Sequence, residues 1–462
     1  MSGEIAIDLA AEITGATLVR GSVTVSGISS VVIDSREATQ GALFAALPGE
    51  NTDGHHWVDA AFNAGAAAAL VTRELPRSSG TLLVVPDTLQ ALWRLAAWWR
   101  KERDPEVTAI TGSVGKTSVK EMVAAICSRS GATLATSGNY NNELGVPLTL
   151  LRLQPLHKFA VVEIGMRGAG QIAPLVELAR PDTAVITNIG LSHIELVGSQ
   201  EAIARAKAEI FSNLPQDGTA VLPRDTPFYE LLLSLVPPGT RIVTFTARAD
   251  DPADVSLLPG HKSLLVHGET YALSPSAAGA HVALNAACAV ATSLAMGLDT
   301  ASSVDAVNKW RGAEGRMHVR EDSMRSITVL DDCYNAGQES TLSALATLQA
   351  WNTSGRRVAV LGDMRELGDH AVAAHQSVGN RAAGADIGLL VTVGEFAEVT
   401  LEAAINAGYS GTNLACSTAA EAAEVLNSHL HCGDVVLVKG SRAVGLEVVV
   451  EALTGQRSSY HG

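Results

Sequence analysis

The chain has 462 residues, 47% of them hydrophobic, and a formal net charge of −15. This length predicts two to four domains, and the apolar fraction is sufficient for several cores. The negative charge argues against a nucleic-acid partner, because phosphate backbones require clustered Lys and Arg. The N-terminus lacks the basic-then-apolar pattern of a signal peptide, and no apolar run is long enough to cross a bilayer. Five scattered cysteines are typical of a reduced, cytoplasmic protein.

The first predicted unit, residues 1–104, alternates strands with helices. Its predicted elements are strands at 23–33, 42–47 and 81–85, a helix at 57–68, and a helix with Leu89, Leu92, Ala96 and Trp99 on one stripe. Ser35 and Arg36 follow the first strand at a turn, where polar groups can face a ligand. A solvated loop arginine explains Arg36 equally well. The pair Asp104-Pro105 predicts the boundary to the next unit.

A glycine-rich turn joins a strand to a helix at the start of the second unit, residues 105–314. Residues 107–111 are rich in β-branched side chains, which favours a buried strand, and apolar residues at helical spacing follow the turn. The turn itself, Gly112-Ser113-Val114-Gly115-Lys116-Thr117-Ser118, has the composition of a phosphate loop, although Ile110 replaces the usual first glycine. Backbone amides and a helix N-terminus favour an anion, Lys116 can reach terminal phosphates, and Thr117 offers a hydroxyl to Mg²⁺. We therefore predict nucleotide phosphate binding rather than a plain turn.

Two residues that can bind metal follow later strands of this unit. Glu163 ends the predicted strand 159–163, and His193 lies a few residues beyond the predicted strand 184–188. The alternation of strands and helices predicts a parallel, doubly wound sheet, in which ligands gather at the carboxyl ends of the strands. Either residue alone is more typical of an ordinary loop. Together, beside a phosphate loop, they indicate a role in binding Mg²⁺.

The helix that starts near Ser199 carries a lysine on its apolar stripe. Ile203, Lys207, Ile210 and Leu214 recur at i, i+4, i+7 and i+11. A lysine there is costly to bury unless its ammonium reaches solvent or has an anionic task. Helical spacing alone leaves both explanations open.

The rest of the second unit contains short antiparallel strands at 254–273 and a long helix at 280–296. This helix carries Asn285, whose amide could read a base but by itself is more typical of a helix surface. The third unit, residues 315–462, is predicted to be Rossmann-like. Its predicted strands are 326–331, 357–361, 388–393 and 434–438, and its predicted helices are 339–350, 371–383, 395–407, 418–428 and 443–453.

Taken together, the motifs resemble the Mur ligase family over nearly the whole chain. The segments that carry the resemblance are, in chain order, 111–118 (TGSVGKTS), 138–151 (GNYNNELGVPLTLL), 162–165 (VEIG), His193, 206–211 (AKAEIF), Gly315-Arg316, 331–336 (DDCYNA), 360–368 (VLGDMRELG) and 438–442 (VKGSR). Because they occur jointly and in the family's order, coincidence is a poor explanation.

The resemblance implies an α/β protein of three domains. These would be an N-terminal uridine-nucleotide-binding domain (1–104), a central ATP-binding domain with a doubly wound parallel sheet (105–314), and a C-terminal Rossmann-like domain (315–462). The implied activity is ATP-dependent ligation of D-alanyl-D-alanine to UDP-N-acetylmuramoyl-tripeptide through an acyl phosphate, in peptidoglycan precursor synthesis. The expected cofactors are ATP and two Mg²⁺ ions. The expected partners are these small molecules alone, and the expected state is a cytoplasmic monomer.

The resemblance also assigns roles to single residues. The loop 112–118 with Lys116 is assigned to the β- and γ-phosphates. Thr117 and Glu163 are assigned to one Mg²⁺, and His193 is assigned to the second. Lys207 looks like the family's carbamylated lysine, whose carboxylate orients Mg²⁺. The substrate assignments are Asn285 for adenine, Arg316 for the phosphates, Asp332 for the ribose, Ser35 and Arg36 for the uridine nucleotide, and Asn139 and Asn142 for the region of the peptide and the transferred phosphate.

The chain departs from the family pattern in two places in the third unit. Cys333 stands where a serine is common, and residues 337–341 read GQEST instead of the more usual Asn-Pro-x-Ser-Met. These positions are expected to adjoin the substrate surface of the third domain. The identity of the incoming amine is therefore predicted less firmly than the reaction type.

Three alternatives stay open. The nearest is another Mur ligase that adds a different amino acid or dipeptide, although the D-N-P-R string of diaminopimelate-adding members is absent. A phosphate-loop kinase would transfer phosphate to a hydroxyl and would not depend on an amine. An inactive nucleotide-binding scaffold would not need the four residues Lys116, Glu163, His193 and Lys207 together.

Overall fold

The computed structural model describes residues 5–21, 27–49, 52–76, 78–191, 194–248, 251–274, 279–312, 315–322, 325–365 and 367–456. Within them, three large sheets and a two-stranded ribbon occupy separate stretches of the chain. The predicted α/β class is confirmed, and the three sheets agree with three domains. The boundaries at 104/105 and 314/315 stay predictions. Among these residues, no helix is long and apolar enough to span a membrane.

The first stretch contains β1 (Ile5–Ala6), α1 (Ile7–Thr14), β2 (Thr17–Val19), β3 (Gly27–Ile28), β4 (Ser30–Val32), β5 (Ala42–Ala45), α2 (Val58–Asn63), β6 (Ala68–Val71), β7 (Thr81–Val84) and α3 (Thr88–Arg103). The sheet order is β2-β7-β6-β5-β4, and β1 pairs with β3. The helix predicted over 57–68 is too long. It ends at Asn63, and Gly65 turns the chain with a φ of 106° into the buried strand β6. Part of the strand predicted over 23–33, residues 23–26, lies outside the described residues.

The central stretch contains β8 (Glu106–Thr111), α4 (Lys116–Cys127), β9 (Thr133–Ala135), α5 (Gly145–Leu151), β10 (Phe159–Glu163), α6 (Ile172–Ala179), β11 (Thr183–Ile186), α7 (Ile194–Val197), α8 (Gln200–Ala208), β12 (Thr219–Pro223), α9 (Tyr229–Leu235), β13 (Arg241–Thr246), β14 (Val255–Leu257), β15 (Ser263–Val266), β16 (Glu269–Ala272), α10 (Ala280–Ala295) and α11 (Thr300–Lys309). The sheet order is β16-β15-β14-β13-β12-β11-β8-β10-β9. The strands from β14 to β9 run parallel, and β15 and β16 are antiparallel.

This order places β8 at a topological switch point. The chain leaves β8 for β9 and β10 on one side and then crosses to β11 on the other. In parallel sheets, such a crossing opens a crevice at the carboxyl ends of the strands, where ligands bind. The predicted doubly wound sheet is therefore confirmed, and its crevice coincides with the turn that follows β8.

Helix α3 fixes the first domain to the central one. The buried indole of Trp99 donates from Nε1 to the backbone O of Leu153 at 2.9 Å. Arg100, also buried, donates from Nε to the backbone O of Ala179 at 3.0 Å, at the C-terminal end of α6. A cation there satisfies carbonyls that the helix leaves without partners. The same hydrophobic cluster includes Leu43 of the first sheet and Val107 of the central sheet, so one core spans both domains.

The third stretch contains β17 (His318–Asp322), β18 (Ile327–Asp331), α12 (Gln338–Ala350), β19 (Arg357–Gly362), α13 (Ala371–Ala383), β20 (Ile387–Val393), α14 (Ala397–Asn406), β21 (Thr412–Cys416), α15 (Ala419–His429), β22 (Val435–Lys439) and α16 (Glu447–Thr454). The sheet order is β17-β18-β22-β19-β20-β21, parallel except for β17. The strand–helix alternation predicted here is confirmed. The edge strands β17 and β21 were not predicted, because β17 reads HVRED and β21 reads TNLAC, without a buried apolar run.

Candidate active site

The turn between β8 and α4 has a backbone that requires glycine. Gly112 and Gly115 have φ values of 154° and 82°, in the region that L side chains rarely adopt. A Cβ atom on Gly112 would collide with the hydroxyl of Thr187, and one on Gly115 would collide with the side-chain amide of Asn285. The turn therefore packs closely against β11 and α10, and Asn285 of α10 lies beside it.

The segment that follows β11 holds this turn in place. The backbone N–H of Val114 donates to Asn188 Oδ1 at 2.9 Å, and that of Ser113 donates to Asn188 O at 3.2 Å. Thr187 Oγ1 donates to Val114 O at 2.6 Å, and the Gly190 N–H donates to Ser113 Oγ at 2.9 Å. Sequence reasoning missed these partners. The available signal was the polar pair Thr187-Asn188 directly after a buried strand.

Lys116 lies over the turn. Its Nζ donates to the backbone O of Gly112 at 2.7 Å and to that of Ser113 at 3.3 Å. Burial lowers the pKa of Lys116, the Glu163 carboxylate opposes that shift, and the guanidinium of Arg316 adds to it. Charged groups of the central and third domains therefore both influence the pKa of this ammonium.

Glu163 is a buried carboxylate that is held by neutral donors. Thr117 Oγ1 donates to its Oε2 at 2.9 Å, and Asn141 Nδ2 donates to its Oε1 at 2.8 Å. Its backbone N–H donates to Thr136 Oγ1 at 3.0 Å, which fixes the end of β10. It is 1% exposed and forms no ion pair with any described residue. A buried carboxylate with this environment is costly unless a cation approaches it.

The asparagines between β9 and α5 differ in their contacts. Asn141, which sequence reasoning did not single out, orients Glu163. Asn142 Oδ1 accepts from the backbone N–H of Leu144 at 3.3 Å and of Gly145 at 2.9 Å, at the start of α5. Asn139 is exposed. The substrate roles assigned to Asn139 and Asn142 stay predictions.

Lys207 lies inside the protein. It is 2% exposed, and no described residue forms a hydrogen bond or ion pair with its side-chain Nζ. Burial lowers its pKa well below the usual lysine range, and the charge of Lys116 lowers it further. The solvent-reaching explanation is therefore wrong. Helix α8 ends at Ala208 and continues as one 3₁₀ turn, so Leu214 lies beyond the helix that was predicted to contain it.

His193, the other predicted metal ligand, lies outside the described residues.

The third domain contributes an aromatic ring, that of Tyr334, with two guanidinium groups close to it. The guanidinium of Arg316 lies 4.5 Å from the centre of the Tyr334 ring, and that of Arg442 lies 5.8 Å from it. Burial raises the pKa of Tyr334, while Arg316 lowers it and Glu163 raises it. Tyr334 was part of a recognised motif, yet its contact with Arg316 could not be read from the sequence.

The neighbouring acidic residues are engaged within the third domain. Asp332 accepts from the Met317 N–H at 3.1 Å and pairs with Lys439 at 2.7 Å. Its ribose role stays a prediction. Cys333 is fully buried, with Sγ 3.1 Å from Asp331 Oδ1. The departure at position 333 therefore changes the core of the domain, and the expectation that this position adjoins a substrate surface stays a prediction.

Two further polar features lie apart from the phosphate turn between β8 and α4. Ser35 and Arg36 form part of a 3₁₀ turn, and the exposed Arg36 pairs with Asp34, its Nε 3.0 Å from Oδ1. This hydrogen bond lowers the pKa of Asp34. Separately, a cavity of about 450 Å³ lies between β4 and β9, and its lining includes Arg152 and His157. None of the residues of the phosphate turn lines this cavity, so the site described above is the better candidate for chemistry.

Comparison with known proteins agrees with this arrangement. The Mur ligase family catalytic domain matches residues 27–97, the Mur ligase middle domain matches 110–293, and the Mur ligase glutamate ligase domain matches 315–442. The chain belongs to the Mur ligase family. Two similar proteins, from Synechocystis sp. and Escherichia coli, are named UDP-N-acetylmuramoyl-tripeptide–D-alanyl-D-alanine ligase. The Synechocystis protein is 38% identical to this Mur ligase, over 93% of this chain and 92% of its own length. The Escherichia coli protein is 37% identical, over 92% of this chain and 94% of its own length.

Solved structures agree with the sequence comparisons. A MurF from Acinetobacter baumannii is 32% identical, with a TM-score of 0.87 over 98% of this chain and 99% of that one. A MurF ligase from Thermotoga maritima in complex with ADP is 27% identical, with a TM-score of 0.77 over 92% of this chain and 97% of that one. This Mur ligase therefore shares its three-domain fold with them over nearly its full length.

Proposed function

We propose that this Mur ligase joins D-alanyl-D-alanine to UDP-N-acetylmuramoyl-tripeptide and converts ATP to ADP and phosphate, in cytoplasmic peptidoglycan precursor synthesis. One observation carries the proposal. The turn residue Thr117 bonds the buried carboxylate Glu163, and the third-domain residue Arg316 influences the pKa of Lys116 in the same turn, in a chain that is similar over 92–93% of its length to ligases of that name. A phosphoryl donor and an amine that are bound to different domains can react only where those domains come together.

The nucleotide would occupy the turn after β8. Backbone N–H groups at the start of α4 favour phosphate oxygens, and Lys116 is close enough to exchange the carbonyl oxygens of Gly112 and Ser113 for them. Arg316 would add a second positive charge near the γ-phosphate. Asn285 would contact adenine, and Asp332 would contact the ribose.

The carboxylate and hydroxyl beside the turn fit a magnesium ion. Mg²⁺ commonly takes one or two protein oxygens and completes its coordination with water and phosphate. Thr117 Oγ1 and Glu163 Oε2 offer such oxygens, and Glu163 lacks an ionic partner among the described residues. These two residues would hold one ion, and His193 would hold the second. The ions would neutralise charge on the transferring phosphoryl group.

Lys207 has the properties required for carbamylation. Only a neutral amine attacks CO₂, and burial lowers the pKa of Lys207. The nitrogen lone pair forms the N–C bond, one C=O π pair moves to oxygen, and the nitrogen loses a proton. The product is a carbamate anion in place of a buried ammonium. We assign it the role of orienting a magnesium ligand beside Lys116, whose charge acts on Lys207.

The chemistry follows from these positions. The terminal carboxylate of the tripeptide attacks the γ-phosphate, ADP leaves, and an acyl phosphate forms. The amine of D-alanyl-D-alanine then attacks the acyl carbon and expels phosphate. Ser35 and Arg36 would bind the uridine nucleotide, and Asn139 and Asn142 would border the peptide and the transferred phosphate. Residues 1–104, 105–314 and 315–462 would act as three substrate-binding domains of a monomer.

A coupled assay of phosphate release tests the proposal. Phosphate should appear only when ATP, the UDP-linked tripeptide and D-alanyl-D-alanine are all present. Release with a single amino acid in place of the dipeptide would favour another Mur ligase. Phosphoryl transfer that is independent of any amine would favour a kinase. No turnover of any combination would favour a scaffold.

A further inference from the structure

We propose that Glu339 is a positioning residue that couples the third domain to the phosphate turn. The inference rests on the proposed function, because only a ligase that closes two domains over ATP needs this coupling. Glu339 is the second residue of α12, in the segment where the chain departs from the family pattern.

The carboxylate of Glu339 contacts the backbone of the central domain. Its Oε1 accepts from the N–H of Leu191 at 3.1 Å. Its Oε2 lies against Gly190, where a Cβ atom would collide with the carboxylate. A glycine at position 190 therefore permits this contact, although its φ is not in the left-handed region.

Two adjacent backbone N–H groups, of Gly190 and Leu191, donate to residues of two different domains. The Gly190 N–H donates to Ser113 Oγ in the phosphate turn, and the next N–H, of Leu191, donates to Glu339. The residues just before them, Thr187 and Asn188, hold Val114 and Ser113. Because the two peptide units share the Cα atom of Gly190, the Glu339 contact restrains the neighbour of the amide that bonds Ser113. Docking of α12 is thereby linked to the geometry of the turn.

A simpler explanation is that an acidic residue in the first turn of a helix stabilises that helix through its dipole. Such an effect needs no partner. Glu398 occupies the same second position in α14 of the same domain and is exposed. Unlike Glu398, Glu339 reaches a backbone amide of another domain, so the two residues separate the explanations.

Helix α12 is braced at a second point on the central domain. Ser343 Oγ lies 2.9 Å from Nδ1 of His281, at the start of α10. The same helix α10 carries Asn285, which lies against Gly115 of the phosphate turn. The third domain therefore contacts two elements that border the turn, and Glu339 bonds the residue next to the one that donates to Ser113.

The test compares Glu339→Ala, Glu339→Gln and the control Glu398→Ala. Glu339→Ala should lower kcat about five- to tenfold at saturating substrates, the size expected for the net contribution of one solvent-accessible hydrogen bond. Glu339→Gln keeps an oxygen that can accept the Leu191 N–H and should retain at least half of wild-type turnover. Glu398→Ala should match wild type in kcat. All variants should share one thermal midpoint within about 1 °C if the effect is not global destabilisation.

A second measurement tests the coupling between the two domains independently of catalysis. Small-angle scattering with a non-hydrolysable ATP analogue should show less compaction for Glu339→Ala than for Glu398→Ala. Equal kcat and equal compaction in these two variants would overturn the proposal, and so would equal losses in Glu339→Ala and Glu339→Gln. A wild-type protein that compacts but does not ligate would count against the proposed function alone.

Discussion

Replacing Lys207 by methionine should stabilise the fold while abolishing turnover. The ordinary pKa of lysine is 10.5, and burial lowers the pKa of Lys207 in the folded protein. At pH 7.5 the unfolded chain carries the ammonium, so keeping this side chain neutral in the core costs at most three pH units, about 4 kcal/mol. Methionine fills a similar volume without that cost. We expect the free energy of unfolding to rise by up to about 4 kcal/mol in bicarbonate-free buffer.

The pH dependence of this gain has a defined sign. Because the folded pKa is lowered, the folded state binds fewer protons than the unfolded state, and wild-type stability rises with pH toward 10.5. Lys207→Met lacks this contribution, so its advantage should shrink by up to about 1.4 kcal/mol per pH unit above pH 7.5. Urea titrations at pH 7.5, 8.5 and 9.5 measure it. Arg205→Ala is the matched control, since Arg205 is an exposed residue of the same helix whose pair with Glu201 is worth about 1 kcal/mol or less.

Activity and spectroscopy complete the test of Lys207. Lys207→Ala should be folded and nearly inactive, and acetate or formate should partly restore ligation by occupying the vacated anion position. With ¹³C-bicarbonate, wild type should show a carbamate carbon resonance that Lys207→Met lacks. Full activity in the alanine variant, or no carbamate resonance in the active wild type, would refute the reasoning.

Three further predictions concern the phosphate turn, closure and pH. Lys116→Ala should lower turnover by about two orders of magnitude or more, roughly 3 kcal/mol of transition-state stabilisation, and near-normal ligation would remove the turn from the mechanism. An ATP analogue with the tripeptide substrate should compact the protein by rotating residues from 315 onward, and identical scattering profiles with and without ligands would count against closure. Burial lowers the pKa of His281, opposed by Asp332 and reinforced by Lys439. Its neutral form should therefore stabilise the α10–α12 contact above about pH 6.5, and stability should fall below it. His281→Gln should flatten that acid limb in a thermal-melt series, and an unchanged limb would exclude His281 as its cause.

The phosphate turn and Lys207 were predictable because their signals are local. A glycine-rich turn between a β-branched run and a helix has few other uses, and i, i+4 spacing placed Lys207 beside Ile203. The helix predicted over 57–68 failed because alanines suit either structure. Only the sheet, which needs β6 between β5 and β7, decides that Ala68–Val71 is a strand.

The rest of the site depends on contacts that no local pattern records. Three asparagines stand within four residues, and the turn after β9 alone decides that Asn141, rather than Asn139 or Asn142, reaches Glu163. Glu339 lies 148 positions from Leu191 in the sequence, and no spacing rule predicts a contact over that separation. Such residues acquire their roles only when separate domains pack together.

The central claim is that the tripeptide carboxylate is activated as an acyl phosphate and captured by D-alanyl-D-alanine. The most direct test labels both oxygens of the terminal carboxylate of UDP-N-acetylmuramoyl-tripeptide with ¹⁸O and follows the label by mass spectrometry. Our account predicts that one ¹⁸O appears in the released phosphate and one remains in the new amide of the UDP-linked pentapeptide, with one ADP formed per product. Unlabelled phosphate, or ADP formation without the pentapeptide, would contradict it.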